Sequence, residues 1–161
     1  MVNAGYFLTV FAAAAAAMPA VTPNESFSAL EARAGQVYTC RVGANNDGAL
    51  LGEVSQDRAI GYLRAAGTKT GTASGYPKKF GNAGSVLKFA SGCTSTNVWE
   101  LPVLANNKPF DINKKINKGK ALANDPGPMR VYYTDKLKFC GIGTKSNKDN
   151  SGNPHNCALR R

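Results

Sequence analysis

Apolar and polar residues alternate along several short stretches of this 161-residue chain, whereas helical spacing recurs in one. Val37-Tyr38-Thr39-Cys40-Arg41-Val42 alternates and is β-prone, which predicts a first strand. Asn45-Asn46-Asp47-Gly48 supplies turn chemistry, and Ala49 to Val54 is the expected return strand of a hairpin. Ser55 is a candidate N-cap for a helix from Gln56 to Ala66, with Asp57 in its first turn and Gly67 as its stop. Ile60 and Leu63 are its expected buried stripe, and the Thr/Gly/Ser run from Thr68 to Gly75 reads as a loop.

Further along, pleat geometry decides which side chains share a face. In Val98 to Leu104, the large apolar Trp99, Leu101 and Val103 point one way, so Glu100 points the other. In Met129 to Tyr133, Val131 and Tyr133 take the core and leave Arg130 on the opposite face. In Lys138 to Lys145, Cys140 and Ile142 fit the core face, and Lys145 lies opposite with Gly141 and Gly143. Glycines there leave room for something to approach the backbone. Three strands thus present one acid and two cations on one surface.

Composition changes the picture at the N-terminus. Phe7, Leu8, Val10, Phe11 and the alanines to Ala17 form the h-region of a secretory signal, expected over residues 1–20. A membrane anchor is the alternative, but the run is too short and alanine-rich to span well. The formal charge is +10, which favours polyanionic partners (RNA, anionic lipid or acidic polysaccharide) over a merely solubilising surface. The four cysteines follow the leader and read as two disulfides with three pairings open. A zinc site is the competing reading; no CxxC pair exists and His155 is the sole histidine.

Four segments, Gly75-Tyr76-Pro77-Lys78-Lys79-Phe80, Trp99-Glu100-Leu101-Pro102, Asp125-Pro126-Gly127-Pro128-Met129-Arg130-Val131 and Phe139-Cys140-Gly141-Ile142-Gly143-Thr144-Lys145, resemble the small fungal secreted ribonucleases, and most closely the ribotoxin branch. The resemblance extends from Tyr38-Thr39-Cys40 to Cys157. It implies an α+β fold: one helix packed on a twisted antiparallel sheet, with an N-terminal β-hairpin. It selects the pairs Cys40–Cys157 and Cys93–Cys140. It also marks Leu30-Glu31-Ala32-Arg33 as the end of a propeptide over residues 21–33, ahead of a ribonuclease-like domain at 34–161. The one sequon, Asn24-Glu25-Ser26, then falls in the removed part. Residues before Ala34 carry Arg33 against Glu25 and Glu31, so the remainder carries +11.

In that family a carboxylate takes the 2′-hydroxyl proton, an imidazolium protonates the leaving oxygen, and a guanidinium holds the phosphoryl group. By resemblance Glu100 is the base, Arg130 the clamp, and Tyr76 the tyrosine beside the first histidine. Lys78 and Lys145 stand where the family has histidines. An efficient general acid has a pKa near the working pH. An ordinary lysine has a pKa of about 10.4 and is neutral at pH 7 in only about one molecule per thousand. Such a site binds phosphate and turns over poorly, and two ammonium groups weaken Glu100 as a base.

Phe80 matches the aromatic that stacks on guanine, with a core role as its alternative, and Asn82 follows it on the RNA-binding side. No acidic residue between Asn82 and Ala90 accepts from a guanine edge, which removes the basis for guanine specificity. Asn106 to Asn124 carries Lys108, Lys114, Lys115, Lys118 and Lys120 and resembles the lysine-rich loop that ribotoxins lay on ribosomal RNA. The span from Phe80 to Trp99 is short where ribotoxins insert a long loop, and His155 is expected at the surface. The expected function is a secreted ribonuclease-fold effector that binds RNA or ribosomes without efficient cleavage. Two alternatives stand beside it: a divergent ribotoxin with Glu100 as base and Lys145 as acid, and a cationic secreted protein acting on host proteins or membranes. No cofactor, metal or stable membrane insertion is expected. A monomer is, secreted and able to pass into a host cell.

Overall fold

The computed structural model describes residues 35–117 and 124–160. The expected signal peptide, propeptide and sequon, together with Lys118 and Lys120, lie outside the described residues. The hairpin forms as its alternation predicts, with β1 (Val37–Arg41) antiparallel to β2 (Leu50–Ser55) and Tyr38 opposite Val54. Asn46 fixes the turn: its Oδ1 accepts from the Arg41 amide at 2.7 Å and its Nδ2 donates to the Thr39 carbonyl at 3.0 Å. The short β8 (Ala158–Leu159) pairs with the other edge of β1.

The helix α1 runs from Gln56 to Ala66. Ser55 caps it through the Arg58 amide, and Gly67, at φ +62°, ends it with its N–H on the Leu63 carbonyl. The buried stripe is Ala59, Leu63 and Ala66 with Gln56, and Ile60 only half-buried beside it. Leu63 is buried as expected, and Ala59 takes the buried place expected for Ile60. The helix approaches the sheet closely through two alanines, whose small side chains carried little weight in the sequence pattern. Burying Leu63 contributes about 1.5–3 kcal/mol.

Five antiparallel strands form the second sheet in the order β3 (Lys78–Lys79), β4 (Val98–Pro102), β5 (Met129–Thr134), β6 (Phe139–Lys145) and β7 (Pro154–Asn156). Every residue of β4 and β5 is buried, so this sheet is covered on both faces. One face packs Trp99, Leu101, Val131, Tyr133 and Ile142 against α1. The other carries a smaller cluster of Leu87, Val98, Tyr132 and Cys140, with Phe80 and Phe89 against it.

Cys140 corrects the simple alternation. Tyr132 pairs with Gly141 and Tyr133 with Phe139, so Cys140 is the extra residue of a bulge. It therefore joins the second cluster instead of the helix-side core, and bonds there to Cys93. The other disulfide is Cys40–Cys157, which ties β1 to the segment after β7. Among the described residues no helix is long and apolar enough to cross a membrane.

His155 is buried on β7, where a surface position was expected. Its Nε2 lies 3.1 Å from the Arg41 carbonyl, which fits Nε2–H as the donor. Burial lowers its pKa, against a smaller upward pull from that carbonyl and Asp47. The unfolded chain therefore takes up the proton first as pH falls below the ordinary value of 6.5, and folding stability drops through that window. Melting the disulfide-bonded protein between about pH 7.5 and pH 5.5 should show a fall in Tm that is reduced in His155→Gln. Parallel profiles for the two proteins would contradict this account.

Candidate active site

Strand register builds the site. Lys78, Glu100, Tyr132 and Gly141 stand side by side across β3, β4, β5 and β6. One rung further lie Pro102, Arg130, Gly143 and Asn156, and beyond them Lys145 opposite Pro154. The pleat thus brings Glu100, Arg130 and Lys145 to one face, as the alternation predicts, and pairing with Glu100 adds Lys78 to it.

Glu100 is buried, and its Oε1 lies 3.3 Å from the exposed Lys78 Nζ. That ammonium also sits 4.9 Å above the centre of the Tyr76 ring, which packs T-shaped with Phe110 at 5.8 Å between ring centres. The lysine in the first histidine position therefore pairs with the candidate base. Lys79 faces away and covers Trp99, with Nζ 4.8 Å from that ring.

Arg130 is 1% exposed, and its guanidinium is spent on the protein itself. One terminal nitrogen donates to the carbonyls of Pro126 (3.1 Å), Gly127 (2.6 Å) and Met129 (2.8 Å). The other donates to the Tyr76 hydroxyl at 3.1 Å and to Asn150 Oδ1 at 2.9 Å. All of these acceptors are neutral. The guanidinium also lies 5.2 Å from the Tyr76 ring centre. Only Nε–H lacks a partner. The expected phosphate clamp is thus closed over: the turn through Pro126, Gly127 and Pro128 curls its carbonyls onto the guanidinium, and the β6–β7 loop adds Asn150.

At Gly141 the expected room is present, since a Cβ there would meet nothing within 4 Å, but at Gly143 it is occupied. A Cβ at Gly143 would lie 3.1 Å from Tyr132 Cε2, 3.2 Å from Leu87 Cδ2 and 2.8 Å from the His155 carbonyl oxygen. What approaches the backbone there is the protein's own tyrosine. The Tyr132 ring is 1% exposed, with Phe80 at 4.8 Å and Phe89 at 5.4 Å between ring centres. Its hydroxyl has no protein partner, and burial, then the charge of Glu100, pushes its pKa up and keeps it protonated.

Phe80 is half-buried in this aromatic group, nearer to its alternative core role. Asn82 has an internal task. Its Nδ2 donates to the Leu87 carbonyl at 2.9 Å and its Oδ1 accepts from the Leu87 amide at 3.0 Å, which closes the 82–87 loop. The lysine-bearing loop is anchored at the site. Phe110 is buried against Tyr76, the Ile112 carbonyl accepts from the Ser74 amide at 3.2 Å, and Asn124 bonds the carbonyls of Asp111 (2.7 Å) and Lys114 (2.8 Å). Lys108, Lys114 and Lys115 are exposed, and Lys145 is half-exposed at the rim.

Tyr132 and Asn150 were missed in the sequence. The alternation that placed Arg130 also places Tyr132 on its face, so that signal was present. Asn150, from an irregular loop, gave none.

The fold and the two disulfides define the class: an α+β microbial ribonuclease fold. At the level of sequence, no protein-family model and no curated protein matches the chain. Among solved structures it is similar to restrictocin, a highly specific Aspergillus ribotoxin, with 25% identity and a TM-score of 0.54. A second similar structure is restrictocin complexed with a 29-mer sarcin/ricin domain RNA analog, at 24% identity and a TM-score of 0.53. Each likeness covers 76% of this chain and 99% of the other. In fold, the chain is a ribotoxin-like member of the ribonuclease superfamily.

The Arg130 contacts carry a stability prediction. Lysine offers three donors without the planar fork, so Arg130→Lys leaves buried acceptors unmatched and should cost about 3 kcal/mol in denaturant unfolding. An exchange that leaves stability unchanged would mean that the guanidinium is free in solution.

Proposed function

We propose that this protein is a secreted ribonuclease-fold effector that binds RNA, ribosomal RNA included, without cleaving it efficiently. The observation that carries this reading is the fate of Arg130: the guanidinium suited to a scissile phosphate spends its terminal donors on the Tyr76 hydroxyl, Asn150 and three backbone carbonyls. The lysines at positions 78 and 145 support it, because ammonium groups supply charge and hydrogen bonds but poor proton exchange near neutrality. A signal-like leader and two disulfides fit an oxidising, extracellular setting.

RNA affinity is supported by charge and by the likeness to a ribotoxin that binds a sarcin/ricin RNA analog. Exposed Lys114 and Lys115 on an anchored loop, with Lys145 at the rim, form a cationic border around a closed face. Contacts of this kind neutralise phosphates and release counterions, so affinity falls steeply with salt.

A sarcin/ricin-type hairpin titrated by fluorescence anisotropy across a salt series tests this. Tight binding at low salt is expected. Lys114→Ala, Lys115→Ala and Lys145→Ala should each weaken it and reduce the salt slope by about one. Absence of binding, or slopes indifferent to all three changes, would favour a cationic protein whose RNA affinity is incidental.

A further inference from the structure

We infer that the cleft between Glu100 and Lys145 is plugged by the protein's own Tyr132, so that RNA is held from outside through its phosphates and no nucleotide enters. The inference rests on the RNA-binding reading and adds the manner of recognition. Gly143 removes a side chain from the β6 face beside Arg130, while Gly141, on the Glu100 rung, stays open. A gap at Gly143, between a carboxylate and cations, would suit a flat ring bearing a phosphate. The ring found at Gly143 is the protein's own. Tyr132 lies against Gly143 with Leu87 beside it, in contact so close that a Cβ on Gly143 would fall 3.1 Å from the phenol ring.

The plug is held rigidly. Phe80 and Phe89 pack on the ring and on each other, with centres 6.2 Å apart. The segment that presses Leu87 onto Gly143 is fixed by two reciprocal side-chain clamps. Asn82 grips the amide and carbonyl of Leu87, and Asn156 grips those of Lys88, both at 2.8 Å. These clamps use Asn82 and Asn156 internally. What remains for an external ligand is the rim, where Lys114 and Lys115 are exposed and Lys145 is half-exposed. Such a surface reads phosphate geometry and leaves bases unread.

The test is a titration of the disulfide-bonded protein with guanosine 3′-monophosphate and adenosine 3′-monophosphate, followed by backbone NMR. The wild type should show no saturable shifts at Glu100, Tyr132 or Gly143, and Tyr132→Phe, which keeps the ring, should behave alike. Tyr132→Leu keeps an apolar anchor, removes the outer ring, and should gain saturable binding at those residues, about tenfold or more above wild type. Mononucleotide binding in the wild-type cleft would overturn the inference, as would a folded Tyr132→Leu that gains none. Should Tyr132→Leu fail to fold, the wild-type titration alone decides. Failure of the hairpin to bind is a separate result, because it removes the RNA reading and leaves the mononucleotide outcome unchanged.

Discussion

The buried guanidinium of Arg130 is the constraint on which this face depends. It joins three segments distant in sequence: the turn from Pro126 to Met129, Tyr76 ahead of β3, and Asn150 in the β6–β7 loop. A buried charge is tolerable only when its hydrogen bonds are met, and here neutral oxygens meet nearly all of them. Tyr76, held from one side by Arg130, is approached on its ring by Lys78 and packed T-shaped with Phe110. Lys78 in turn holds Glu100. The loop that bears the exposed lysines is thereby anchored to the same hub.

A second consequence follows from burying β4 and β5 on both faces. A sheet with one packed face and one open face offers a site; this sheet has covered most of its second face with Tyr132, Leu87, Phe80 and Phe89 and left space at Gly141. The polar residues that remain are either inside that closure, as Glu100 and Arg130 are, or at its edge, as Lys145 is. In the proposed reading, that distribution favours association through phosphates over chemistry at a chosen bond.

Much of this was legible in the sequence. Ser55, Asp57 and Gly67 bound the helix as read, and the alternation of Trp99, Leu101 and Val103 set Glu100 on the opposite face. Resemblance, not spacing, selected the disulfide pairs that the structure contains. The failures have physical causes. The bulge at Cys140 breaks the period of two, and no side-chain pattern announces a bulge. His155 reads as polar, yet its neighbour across the ladder is the core strand β6. The acceptors of Arg130 are mostly backbone carbonyls, which no residue type advertises. Reading the glycines as open space holds at Gly141 but fails at Gly143, where Tyr132, two residues from Arg130, was the nearer candidate.

Cleavage is the most direct measure of the central claim. Intact ribosomes and naked RNA would be incubated with the disulfide-bonded protein and, in parallel, with Glu100→Ala, then resolved on a denaturing gel. The account predicts no fragment that depends on Glu100. A discrete ribosomal RNA fragment that vanishes in Glu100→Ala would contradict it and return Lys145 to the role of a working acid.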